Sequence, residues 1–152
     1  YRQGYAATEE PDSDYILPFG KGKYVAKGDE LTVITWGAMV QKTVEATQLL
    51  NLPNNIVEII DLRTLNPIDM DIIESSVKKT SRVLVVHEDN MTNGPGAEIS
   101  ALIVDKYFQL LDAPVRRVAA KDSPVPFNWI LEEKVLPQSQ EIADVIEEIL
   151  EY

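Results

Sequence analysis

The residues best suited to chemistry fall in one short stretch, His87-Glu88-Asp89 followed by Asn93-Gly94-Pro95-Gly96. A histidine beside a carboxylate can move protons near neutral pH. Successive side chains at the end of a strand point to opposite sides, so His87 and Glu88 are poorly placed to work as an acid–base pair. Three roles stay open for His87. It is structural and hydrogen-bonded within a loop or interface, or catalytic, or a contact from this domain to a ligand in a neighbour; the first is the expectation. The Asn-Gly-Pro-Gly turn leads into a helix whose free N–H groups can hold an anion. It is not a G-x-G-x-x-G fingerprint, and no Lys-Ser/Thr follows as in a Walker A loop. A turn that lets the helix pack closely is therefore the expected role. With one histidine, no cysteine and scattered carboxylates, there is no metal constellation. Nor is there a G-x-S-x-G nucleophile elbow.

These residues need a scaffold. Arg82–Val86 is dense in β-branched residues and predicts a buried parallel strand. A helix is predicted from Pro95 to Leu111, with proline suited to its first turn. At 100° per residue it carries two apolar stripes. One is Ala97, Ala101, Val104, Phe108 and Leu111; the other is Ile99, Ile103, Tyr107 and Leu110. A helix apolar on two sides is buried on two sides. One stripe is expected to lie on the sheet. The Ile99/Ile103/Tyr107/Leu110 stripe is assigned to a subunit interface, with a simply deep core helix as the alternative.

The rest of the chain alternates in the same manner. Leu31–Trp36, Ile56–Asp61 and Val115–Ala119 read as strands. Ala38–Leu50, Pro67–Lys79 and a last stretch from Pro137 read as helices, with a single turn at Trp129–Val135. This pattern predicts an α/β fold of three layers, a mostly parallel sheet with helices on both faces. Residues 1–28 read as a linker or arm and 29–152 as the domain. The chain opens at Tyr1 rather than Met, so a fragment of something longer is expected. No apolar run approaches the ~20 residues of a membrane span. The absence of cysteine fits a cytoplasmic protein. A net charge of −11 disfavours nucleic acid and anionic membranes and favours a basic protein partner.

The last helix carries the clearest charge signal. Ile142, Val145, Ile146, Ile149 and Leu150 make an apolar face, while Glu141, Asp144, Glu147, Glu148 and Glu151 gather opposite. Several of these acids, with the carboxylate of Tyr152, sit at the negative end of the helix dipole, where they disfavour the helix. Docking of a basic partner would explain them; a merely solvated face is the alternative.

Several segments in order resemble a known family. They are Leu31-Thr32-Val33-Ile34-Thr35-Trp36-Gly37, Ile60-Asp61-Leu62-Arg63-Thr64-Leu65-Asn66-Pro67, Val85-Val86-His87-Glu88, Gly96-Ala97-Glu98-Ile99 and Ala113-Pro114-Val115-Arg116-Arg117-Val118. Together they resemble the carboxyl-terminal domain of the beta subunit of thiamine-diphosphate-dependent 2-oxo acid dehydrogenases, of the pyruvate and branched-chain 2-oxoisovalerate types. Ile16-Leu17-Pro18-Phe19-Gly20-Lys21 resembles the family's linker. The resemblance implies a transketolase-type carboxyl-terminal fold. It implies that thiamine diphosphate and Mg²⁺ are bound mainly by domains absent here, so that the fragment is catalytically silent. It implies as partners an alpha subunit or region, a second beta copy and the basic subunit-binding domain of the lipoyl acyltransferase. The docking candidates are Asp112, Asp144, Glu147, Glu148, Glu151 and Tyr152. Thr92-Asn93-Gly94-Pro95-Gly96 stands where the family commonly reads Thr-Gly-Gly-Phe-Gly, and Asp122-Ser123-Pro124-Val125-Pro126 where it reads Asp-Thr-Pro-Phe-Pro. The competing expectations are another thiamine enzyme of the transketolase group, or a stand-alone α/β module binding an anion at Gly94–Ala97.

Overall fold

The computed structural model describes residues 14–152; residues 1–13 of the expected arm lie outside the described residues. The sheet has five strands: β1 (Lys23–Ala26), β2 (Leu31–Thr35), β3 (Val57–Asp61), β4 (Val83–Asn90) and β5 (Arg116–Ala120). Their order is β1-β3-β2-β4-β5. β2 to β5 run parallel and β1 is an antiparallel edge. Val33 lies beside Ile59 on one side and Leu84 on the other. Every residue of β2 is buried, as its run of Val, Ile and Thr requires of a central parallel strand.

The helices are α1 (Ala38–Leu49), α2 (Met70–Thr80), α3 (Pro95–Tyr107), α4 (Trp129–Val135) and α5 (Ser139–Leu150), with a short 3₁₀ turn at Phe108–Leu110. Alternation along the strands divides the core in two. Leu31, Val33, Leu84 and Val86 meet Met39 and Ala46 of α1 and Ile142 and Ile146 of α5. Ile34, Ile60, Val83 and Val85 meet Ile73 and Val77 of α2 and Ile99 and Ile103 of α3. The three-layer α/β expectation holds.

Some boundaries differ from expectation for local reasons. β4 continues past Val86 to Asn90, because after a register shift Asn90 still pairs with Ala120. α2 starts at Met70 rather than Pro67, where Asp69 caps it by accepting from the Ile72 N–H at 3.3 Å. Residues within the span read as an arm also take part in the sheet. β1 belongs to the sheet, and Asp69 also accepts the Gly22 N–H at 3.0 Å.

The central helix is apolar on two sides as expected, but its faces are exchanged. Ile99, Ile103 and Tyr107 are buried in the chain's own core, with Leu110 packed against them. They are not available to a partner. The outward stripe is the other one, where Val104 is 41% and Phe108 70% exposed. The cause is Gly96, which lies on the same face as Ile99, Ile103 and Tyr107 and packs against the sheet through His87.

Candidate functional site

β2 leads through α1 to β3 on one side, and β4 leads through α3 to β5 on the other. In doubly wound sheets this divergence opens the crevice that usually takes a ligand. Here two aromatic rings meet. Trp36 follows β2 and stacks on the imidazole of His87, with ring centroids 5.4 Å apart and planes 7° from parallel. From the other direction comes the turn before α3. A Cβ on Gly96 would lie 2.2 Å from His87 Nε2, and one on Gly94 2.1 Å from the Asn90 carbonyl oxygen. The two glycines are there because only a bare backbone fits against the ring and the strand.

His87 is completely buried while Glu88 is exposed, so the two do not cooperate. The hydrogen bond expected of a structural histidine is missing: among the described residues neither ring nitrogen has a partner. Packing alone holds the ring. Burial pushes its pKa below the ordinary histidine value, Asp89 opposing and Arg117 adding to the shift. The imidazole packs as a wedge between strand and helix.

Gly96→Ala tests this close approach. On an open helix, alanine for glycine is stabilising by up to about 1 kcal/mol. Here the added methyl meets a ring that has no free space, and overpacking costs about 1–3 kcal/mol. The expected net result is a loss of about 1–2 kcal/mol, read from the urea midpoint. A gain in stability would show that the turn is loose.

The loops after β4 and β5 are tied together beside this wedge. Asp122 accepts from the Thr92 N–H at 2.9 Å and from its hydroxyl, which holds the carboxyl below its usual pKa. Arg117 donates to the Met91 carbonyl at 2.7 Å.

Two outward surfaces bear on the expected interface and docking residues. The exposed stripe of α3 borders a groove of about 700 Å³, whose lining includes Ala101, Val104, Phe108, Asp112 and Pro114. Asp112 therefore belongs to this groove. The second surface is the acidic side of α5. Its helix is held by fully buried Ile142, Ala143, Ile146 and Ile149, which offset the unfavourable dipole. Glu147, Glu151 and Tyr152 are exposed. Glu148 is not an unpaired acid: Arg116 of β5 grips it with both Nη atoms, the longer bond being 3.0 Å. Asp144 accepts from the Gln140 side chain at 2.8 Å.

Sequence reasoning missed one polar cluster inside the core. Glu58, in the middle of β3, is fully buried and accepts from the Ser76 hydroxyl and the Lys79 ammonium. Thr32 bonds Ser76 at 2.6 Å and Thr80 at 2.7 Å. The available signal was an acid within an apolar strand together with Ser76, Lys79 and Thr80 on the following helix.

Among the described residues no three His, Asp or Glu side chains are grouped to hold a metal. Among the same residues, no helix is long and apolar enough to cross a membrane.

Residues 20–142 match the family model described as "Transketolase, C-terminal domain". The chain belongs to the transketolase C-terminal domain family. Curated beta subunits are similar over nearly the whole chain. The pyruvate dehydrogenase E1 component subunit beta of Porphyra purpurea is 40% identical over 96% of this chain and 44% of its own length. The 2-oxoisovalerate dehydrogenase subunit beta 2, mitochondrial, of Arabidopsis thaliana is 39% identical over 100% of this chain and 41% of its own. The chain thus spans less than half the length of these relatives. Among solved structures, a split gene transketolase in an inactive beta4 tetramer aligns with a TM-score of 0.77 at 22% identity, covering 95% of this chain and 46% of that one. This last likeness speaks for the transketolase C-terminal fold.

Proposed function

We propose that this chain is the carboxyl-terminal region of the beta subunit, or beta-like region, of a thiamine-dependent 2-oxo acid dehydrogenase. Its part there is assembly and docking rather than chemistry. The observation that carries the reading is the identity of about two residues in five, over nearly the whole chain, to beta subunits of pyruvate and 2-oxoisovalerate dehydrogenases. The parent reaction is then oxidative decarboxylation of a 2-oxo acid, with acyl transfer to the lipoyl group of an acyltransferase. Thiamine diphosphate and Mg²⁺ belong in this reading to the alpha subunit and the preceding beta domain. A cytoplasmic location is part of the proposal, although the Arabidopsis relative is named mitochondrial.

Two surfaces support a role in assembly. The Ala101/Val104/Phe108 stripe of α3 replaces the Ile99/Ile103/Tyr107/Leu110 stripe as the face offered to an alpha subunit or a second beta copy. The α5 acids Asp144, Glu147, Glu148 and Glu151, with Tyr152, are offered to the basic subunit-binding domain of the acyltransferase. Charged docking of this kind is sensitive to salt.

Calorimetric titration of the chain with that basic domain tests the docking role. Binding is expected at low salt and weaker binding at moderate salt. Glu147→Lys with Glu151→Lys should weaken it roughly tenfold at low salt, since each reversal turns an attraction into a repulsion. Binding indifferent to salt and to both reversals, or no binding at either salt, overturns the docking face.

A further inference from the structure

The wedge at the switch point has a property that the assembly role does not use. The geometry points to a pH-operated latch: protonation of His87 releases the Asn93–Ala97 turn at the start of α3 from the end of β4.

The ring is enclosed on every side that matters. Trp36 at the end of β2 covers one face and brings no titratable group. Gly94 and Gly96 close over the edge carrying Cε1 and Nε2. The charged groups facing it are Asp89 on its own strand and Arg117 on β5. Asp89 is exposed, so water screens its attraction, and Arg117 repels an imidazolium. The amino end of α3 adds the positive end of a helix dipole to that repulsion. An imidazolium would also have two N–H groups, and neither nitrogen meets an acceptor among the described residues. A buried charge without partners is relieved by letting water in. The cover beside Nε2 is a two-glycine turn, which yields more easily than the strands.

The sign follows from burial. The folded ring resists protonation, so the closed turn has its full stability above the ordinary pKa of about 6.5. That stability falls as pH drops from there to the lowered value of the closed state, and the loss is then complete. Each unit between the two pKa values shifts the closed-to-open ratio tenfold.

His87 is the sole histidine, so its imidazole can be followed by NMR in the 152-residue chain without assignment ambiguity. Its midpoint is expected below 6.5. The amides of Gly94, Gly96 and Ala97 should lose exchange protection at the same midpoint, while those of Ile142 and Ile146 on α5 hold. In a Trp129→Phe background, Trp36 emission should change at that midpoint too. A ring that titrates at or above 6.5 overturns the latch. So does a ring that titrates while the turn stays protected, or one that stays neutral until the whole chain unfolds. His87→Phe keeps a ring on Trp36 and removes the proton; the local opening should vanish, and its persistence would equally refute the proposal. If that variant does not fold, the titration of the unaltered chain decides alone.

Discussion

Phe108→Ala is expected to weaken assembly of the proposed parent enzyme by about 2–4 kcal/mol, or roughly 30-fold and more in subunit affinity. The same change should move the unfolding free energy of the isolated chain by less than about 0.5 kcal/mol, as for an exposed side chain without partners. The contrast between the two effects carries the argument. Phe108 is 70% exposed and leads out of α3 beside Val104 and Ala101, over a groove open to solvent. In a single chain such a ring has little to lose. At the centre of an interface an aromatic anchor is among the side chains that cost most when truncated. Sedimentation of the assembled enzyme over a range of concentrations measures the first effect, and urea unfolding of the chain the second. Unchanged assembly would remove this stripe from the interface. A large loss of chain stability would show instead that Phe108 serves the fold.

That stripe also shows where the sequence stops being legible. Periodicity alone reveals that α3 has two apolar sides, and it has. It does not reveal which side meets the sheet, because Ile/Ile/Tyr/Leu and Ala/Val/Phe/Leu are both plausible against a layer of valines. The deciding residue is Gly96, which shares a face with Ile99 and packs on His87. A glycine at the start of a crossover helix marks close approach to the strand, and that clue lay in the Asn-Gly-Pro-Gly turn already noted. The strands and their parallel arrangement were readable because β-branched runs between amphipathic helices admit few alternatives. The opposite sides taken by His87 and Glu88 were readable from the two-residue period of extended chain. The stack of Trp36 on His87 was not, since it joins neighbouring strands 51 residues apart in sequence. For the same reason the pairing of Glu148 with Arg116 could not be read from the last helix, whose own residues offer no base.

The second large effect concerns the acid in the core. Lys79→Met is expected to destabilise the chain by about 3 kcal/mol, the lower end of what breaking a buried ion pair costs, because Lys79 itself is partly exposed. Glu58 is fully buried in β3, and Lys79 is the cation that neutralises it. Methionine keeps most of the length and apolar stem of lysine, so the loss reports on the charge rather than on a hole. Asp29, 3.7 Å from the same ammonium, is exposed and needs it less. The midpoint of urea unfolding should fall with the slope unchanged. Adding Glu58→Met should restore much of the lost stability, because an apolar pair in place of a buried ion pair is often neutral. Ser76 is not stranded by this change, since its hydroxyl still meets Thr32 at 2.6 Å. If the double variant is no more stable than Lys79→Met alone, the loss lies in the polar cluster that Glu58 organises around Thr32, Ser76 and Thr80. The carboxylate would then be needed for its hydrogen bonds as well as tolerated for its charge.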